Sequence, residues 1–85
     1  MNKSNIILYG ADWCPDCKRS MFFLDTNKIS YDYINIDNDP EATRKVEKIN
    51  NGYKSIPTII FPNGEILVEP SNPQLKKTLQ NNNLI

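Results

Sequence analysis

The chain has 85 residues, 39% of them hydrophobic, enough for one small core and too few for a second, so a single domain over residues 1–85 is expected. Ten Lys plus Arg balance ten Asp plus Glu, which leaves no overall basic field to hold a nucleic acid or an anionic membrane. His is absent, and with it go imidazole general-base chemistry, Ser-His and Cys-His nucleophile pairs, and the commonest metal ligand.

The opening stretch Met1 to Tyr9 carries an apolar run of four residues, against roughly 7–15 for a secretory leader. No run approaches the roughly 20 apolar residues of a membrane span, so a cytoplasmic location is expected. Ile6-Ile7-Leu8-Tyr9 followed by Gly10 reads as a short buried strand, and Ala11-Asp12-Trp13 as a loop. Pro15 suits the first turn of a helix, with Cys14 in the N-cap place and Asp16 complementing the dipole. The pattern predicts a helix over 15–26, in which Cys17, Met21 and Leu24 recur at i, i+4, i+7 and Phe22 and Phe23 widen the apolar face.

Alternation from Tyr31 to Asp37 predicts a second strand, with Tyr31 and Tyr33 on one side and Ile34 and Ile36 on the other. Asn38-Asp39-Pro40-Glu41 opens a second helix, whose buried stripe is Ala42, Val46 and Ile49 and whose end is Asn51-Gly52. Thr58 to Phe61 and Ile66 to Val68, joined by Pro62-Asn63-Gly64-Glu65, predict an antiparallel hairpin. Asn72 before Pro73 repeats the cap-and-proline device and opens a last helix to about Asn81, with Leu75 and Leu79 inward and a fraying Asn81-Asn82-Asn83 tail. The order is β-α-β-α-β-β-α, an α/β sandwich with helices on both faces of one sheet.

Cys14 and Cys17, the only cysteines, stand three apart at a strand-loop-helix junction. Residues at this spacing share a helix face, so the two sulfurs come within reach of a disulfide. Cys14 receives the free N–H groups and the positive dipole end of the first turn, which favours its thiolate, whereas Cys17, one turn inside, keeps its proton. A thiolate so stabilised gains most as a leaving group, which suits a bond that is made and reopened. A structural bridge would close only a tiny loop, and a mononuclear zinc site lacks the remaining ligands. Redox exchange is the preferred reading. Pro57, in Ser55-Ile56-Pro57-Thr58, precedes a strand beside the first and brings Ile56 and Pro57 up to Cys14 if its peptide bond is cis. Trp13 either walls a groove for substrate or plugs the loop.

The strand Ile6 to Tyr9, the motif Trp13-Cys14-Pro15-Asp16-Cys17, Ser55-Ile56-Pro57-Thr58 and the Asn63-Gly64 hairpin resemble the glutaredoxin group of the thioredoxin superfamily. Tyr33 to Asp37, Asp39-Pro40-Glu41 and Pro70-Ser71 are most similar to mycoredoxin-like glutaredoxins. The resemblance implies a thioredoxin-like fold with a four-stranded mixed sheet ordered 2-1-3-4 and three helices, a cis bond before Pro57, and thiol-disulfide exchange at Cys14. It departs from glutathione-using members at Glu69-Pro70-Ser71-Asn72, where those carry Gly-Gly and an acid, at Ala11-Asp12, where a Lys is usual, and at Asp16, where an aromatic is usual. Two local acids, Asp12 and Asp16, repel a carboxylate-bearing thiol unless Lys18, Arg19 or Lys54 offsets them. Ser71 and Asn72 either donate hydrogen bonds to a thiol or cap the last helix.

The leading expectation is a monomeric disulfide reductase acting through Cys14 and Cys17, with Trp13, Pro15, Asp16, Ser55, Ile56, Pro57 and Ser71 lining the substrate site. It holds no bound cofactor or metal and uses glutathione or another low-molecular-weight thiol as co-substrate. Its partners are proteins or small molecules containing disulfides, and a thiol or flavoprotein reductase that recycles it. Two alternatives stay open: a redoxin that serves one protein and is recycled by a thioredoxin-type reductase, and a cluster-bridged dimer that carries iron and sulfur through Cys14.

Overall fold

In the computed structural model, residues 5–85 are described; the expectation placed on Met1 to Ser4, as part of a start too short for a leader, lies outside them. The apolar run becomes β1 (Ile6–Gly10) at the centre of the sheet, where both faces of a strand need cover. It pairs in parallel with β2 (Tyr31–Asn35), with Ile6 opposite Tyr31 and Gly10 opposite Asn35. On its other side it runs antiparallel to β3 (Thr58–Ile60), Tyr9 facing Thr58, and β3 pairs with β4 (Ile66–Val68). The order is β2-β1-β3-β4, as the resemblance implied.

Alternation along β1 sends Ile6 and Leu8 to one face and Ile7 and Tyr9 to the other. On the first face they meet Leu24 of α1 (Pro15–Thr26) and Leu75 and Leu79 of α3 (Asn72–Asn81), with Ile59 and Phe61. On the second face α2 (Pro40–Ile49) packs Ala42 and Val46 against Tyr9 and Ile36. Burial of side chains of this size, each contributing about 1.5–3 kcal/mol, holds the helices to the sheet. Among the described residues no helix is long and apolar enough to cross a membrane.

Five local expectations need correction. β2 ends at Asn35, because the Asn35 side chain accepts the Asp37 N–H at 2.9 Å and turns Ile36–Asn38 into a 3-10 turn. The first strand of the hairpin ends at Ile60, and Phe61 instead closes the turn, its N–H donating to Glu65 O. Phe22 lies 72% exposed, while Phe23 packs partly buried against the core and Ser20 is buried between Cys17 and Leu24 on the helix, so only Phe23 of the aromatic pair widens the covered stripe of α1. The cap of α3 is Ser71, not Asn72: Ser71 Oγ accepts the Gln74 N–H and Gln74 Oε1 accepts the Ser71 N–H, a reciprocal capping box. The Asn tail, expected to fray, is hydrogen-bonded back onto α3: Asn82 caps it through Thr78 O and the Leu84 N–H reaches Leu79 O at 2.9 Å.

Candidate active site

β1 delivers the chain to the loop Ala11-Asp12-Trp13, and Pro15 at the first helical position starts α1 immediately after Cys14. Cys14 is the N-cap residue, with its side chain as the capping group: Sγ accepts the Cys17 N–H at 3.1 Å. Both cysteines are free thiols. Cys14 is only 5% exposed and Cys17 fully buried, so both sulfurs lie beneath the surface at the start of α1. A buried thiolate is poorly solvated, and this dominates at Cys17: burial first, then the hydrogen bond with Cys14, pushes its thiol from 9.0 up to about 12. The Cys14 sulfur and the Asp16 carboxylate also raise it through charge, and only the hydrogen bond with the Ala11 backbone lowers it. The proton is therefore held on the inner sulfur.

The segment before β3 covers Cys14. The Ile56–Pro57 bond is cis, and Ile56 O lies 4.0 Å from Cys14 Sγ. That segment is fixed from below: the Thr58 hydroxyl donates to Ser55 O at 2.7 Å and accepts from Asn50 Nδ2 at 3.1 Å. Ile56 thus comes to the dithiol, in one apolar cluster with Ala11, Cys14 and Cys17, and Ser55 and Pro57 flank it along the chain.

Trp13 does not plug the loop. It is 66% exposed, and its indole N–H donates to Asp37 Oδ2 at 2.7 Å. The preceding residue is tethered similarly, Tyr33 Oη donating to Asp12 Oδ1 at 2.7 Å. Burial and this neighbouring carboxylate raise the Tyr33 phenol well above its ordinary range, which keeps it a donor. Asp16 pairs with Arg19 at 3.1 Å, and Arg19 also donates to Pro70 O at 3.2 Å, linking α1 to the segment before α3. Ser71 is tied up in its capping box. Lys18 and Lys54, offered as charge-balancing groups, are exposed and take no part in an ion pair among the described residues.

Sequence reasoning missed three residues. Tyr33 and Asp37 looked like strand positions, and only the bend at Asn35 brings Asp37 to Trp13. Gly10 looked like a strand terminator, yet its missing side chain leaves the space that the Cys17 sulfur fills. Among the described residues no group of three or more His, Cys, Asp or Glu side chains is placed to hold a metal ion.

A dithiol three residues apart at the start of a helix, backed by a cis-proline segment on a 2-1-3-4 sheet, defines a thiol-disulfide oxidoreductase of thioredoxin-like fold. Residues 6–67 match the glutaredoxin family, and the chain belongs to that family. It is 36% identical over 67 residues to mycoredoxin 1 of Corynebacterium glutamicum, covering 79% of this chain and 82% of that protein. It is 35% identical over 54 residues to the glutaredoxin-like protein NrdH of Lactococcus lactis, covering 64% of this chain and 72% of the relative. The crystal structure of a glutaredoxin from Archaeoglobus fulgidus superposes with a TM-score of 0.71 at 25% identity, over 89% of this chain and 86% of that one.

Proposed function

We propose that this single-domain protein works as a cytoplasmic monomer reducing disulfides or mixed disulfides, with Cys14 as nucleophile and Cys17 as resolving thiol. The observation that carries this reading is the Cys17 N–H donating to Cys14 Sγ at 3.1 Å, which aims a first-turn donor at the outer sulfur while burial keeps the inner one protonated. Cys14 thiolate attacks one substrate sulfur and expels the other as a thiolate, which takes a proton from solvent, leaving a mixed disulfide. Cys17 then gives up its proton, attacks Cys14 Sγ and releases the reduced substrate, so the protein's two electrons end on the substrate as two thiols.

An extended substrate pairs with the backbone at Ile56, beside Ser55 and Pro57, in the manner of an added strand. Trp13 forms the opposite wall, Pro15 and Asp16 the rim of α1, and Ser71 the far side. A low-molecular-weight thiol reopens the internal bridge; the co-substrate is not bound at rest. Cys14→Ser is expected to abolish reduction of a peptide disulfide, and Cys17→Ser to accumulate the mixed disulfide visible by mass spectrometry; turnover at the wild-type rate without Cys14 overturns the assignment.

The similarity to the protein named NrdH supports a second reading, a redoxin serving one protein partner. Recycling by thioredoxin reductase but not by a small thiol distinguishes it from the first.

A further inference from the structure

A hydroxyl enclosed in a core without a partner costs stability, so each one that persists needs a reason. Two buried side-chain oxygens stand without a partner among the described residues, Asn72 Oδ1 and Ser20 Oγ. Asn72 is a partly exposed residue at the start of α3, but Ser20 is at 0% exposure in the middle of α1. Alanine would suit that helix better. Cys17, Ser20 and Leu24 are the buried residues of α1, and Ser20 stands three residues after Cys17, on the same helix face. Helical Cα–Cβ bonds lean towards the N-terminus, so the Ser20 side chain leans to the turn that carries the Cys17 sulfur. Rotation about χ1 swings its hydroxyl without disturbing the helix.

Cys17 is the group that needs such a donor. In the reduced protein its thiol is hydrogen-bonded to Cys14 and kept protonated by burial, with the Ala11 backbone alone favouring its charged form and Asp16 opposing it. Once Cys14 Sγ is bonded to a substrate sulfur it carries no charge to receive the Cys17 proton, and negative charge has to gather on the inner sulfur as it attacks. Resting on the oxidoreductase reading above, we propose that Ser20 is a catalytic residue of the resolving step: its hydroxyl, idle in the reduced protein, donates a hydrogen bond to Cys17 Sγ as that sulfur becomes a thiolate. In this step the bond between Cys17 and Cys14 forms and the bond from Cys14 to the substrate sulfur breaks. The substrate sulfur leaves with the electron pair, and the proton given up by Cys17 reaches it through solvent. Ser20 keeps its own proton and takes no part in the first attack by Cys14. A bond made only while charge develops lowers the barrier without stabilising the resting state.

The test separates the two steps in Ser20→Ala, which removes one oxygen atom and leaves a strong helix former. The reduced full chain is mixed with a peptide disulfide, quenched in acid and read by mass spectrometry; the first step is followed in a Cys17→Ser background, where the mixed disulfide cannot resolve. Ser20→Ala is expected to form the mixed disulfide at an unchanged rate and to convert it to the internal bridge about tenfold more slowly, the effect of losing one hydrogen bond to a charged group. The urea midpoint of the reduced variant is expected to rise, since the unpaired hydroxyl is gone. A merely structural hydroxyl, bonded to the Asp16 carbonyl one turn back, predicts the reverse: a lower midpoint with resolution unchanged. Resolution at the wild-type rate, equal slowing of both steps, or a lowered midpoint overturns the proposal. If the protein with intact Ser20 forms no mixed disulfide at all, the oxidoreductase reading itself falls; if it forms and resolves one and Ser20→Ala does so equally fast, only the role of Ser20 falls.

Discussion

The sulfur of Cys17 fills the place that a side chain on Gly10 would need: a Cβ built on Gly10 stands 2.8 Å from Cys17 Sγ and 3.3 Å from Cys17 Cβ. Gly10 is the last residue of the central strand and Cys17 sits one turn into α1, so this contact sets how closely helix and sheet approach beneath the dithiol. Gly10→Ala forces one of them to shift. A loss of about 1–3 kcal/mol is expected from overpacking, measured as a lower urea midpoint at unchanged slope. Because the displaced atom is the inner sulfur, the variant is also expected to close its internal disulfide more slowly after Cys14 has formed a mixed disulfide, read by quenched-flow mass spectrometry. A neutral Gly10→Ala would show that the sulfur moves aside freely.

The titration of Cys17 gives stability a pH dependence with a definite sign. Its thiol is raised from 9.0 to about 12 in the folded chain, so between those values the native state binds the proton that the unfolded chain releases. Stability is therefore fully present below pH 9 and is lost progressively as pH rises towards about 12. Tyr31, raised to about 12 by burial and by its hydrogen bond to Asp25, contributes in the same direction, so the comparison must be between forms that share it. Urea midpoints from pH 8 to 11 are expected to fall more steeply for the reduced wild type than for Cys17→Ala or for the oxidised protein, in which no thiol titrates. Parallel slopes for all three would remove the buried proton from the account.

Trp13 and Asp37 make a pair whose worth is positional. An exposed indole samples several rotamers, and the bond from Nε1 to Asp37 Oδ2 at 2.7 Å holds this one in a single place beside Cys14. Asp37→Leu is expected to lower the steady-state anisotropy of Trp13, the only tryptophan, at a stability cost of no more than about 1.5 kcal/mol. Asp37→Asn, which keeps an acceptor oxygen, is expected to restore most of the anisotropy. Equal anisotropy in all three proteins would mean that loop packing, not the carboxylate, immobilises the ring.

Much of this architecture can be read from local chemistry. Pro15 and Pro40 each follow a capping residue and each begins a helix, because a missing N–H costs nothing in the first turn. Cys14 and Cys17 are legible for the same reason: their spacing and their place after a strand constrain what the two sulfurs can do. Pro73 misled because proline is tolerated at the second helical position too, so the cap moves back to Ser71. Phe22 misled because apolar identity does not say which side of a helix meets the sheet. Asp37 and Tyr33 were beyond a reading by periodicity, since their partners Trp13 and Asp12 lie 24 and 21 residues away and no local pattern encodes a contact at that range. The pairing of Arg19 with both Asp16 and Pro70 is half legible: three residues apart on a helix for the acid, invisible for the carbonyl 51 residues on.

Thr58 is a fully buried residue whose hydroxyl joins two elements. It donates to Ser55 O at 2.7 Å and accepts from Asn50 Nδ2 at 3.1 Å, while the same Asn50 amide also reaches Val46 O at 3.0 Å near the end of α2. The hydroxyl thereby fastens the Ser55-Ile56-Pro57 segment to α2 and sets Ile56 O at its 4.0 Å separation from Cys14 Sγ. Thr58→Val keeps the shape but leaves Ser55 O without this donor and Asn50 Nδ2 with one acceptor fewer, at an expected cost of about 1–3 kcal/mol. Thr58→Ser, which keeps the hydroxyl and loses a methyl group, is expected to cost less and to leave the segment in place. If positioning is the role, Thr58→Val raises KM for an extended peptide disulfide more than for bis(2-hydroxyethyl) disulfide, which is too small to pair along Ile56. An equal effect on the two substrates would reduce Thr58 to a stabilising residue without influence on substrate alignment.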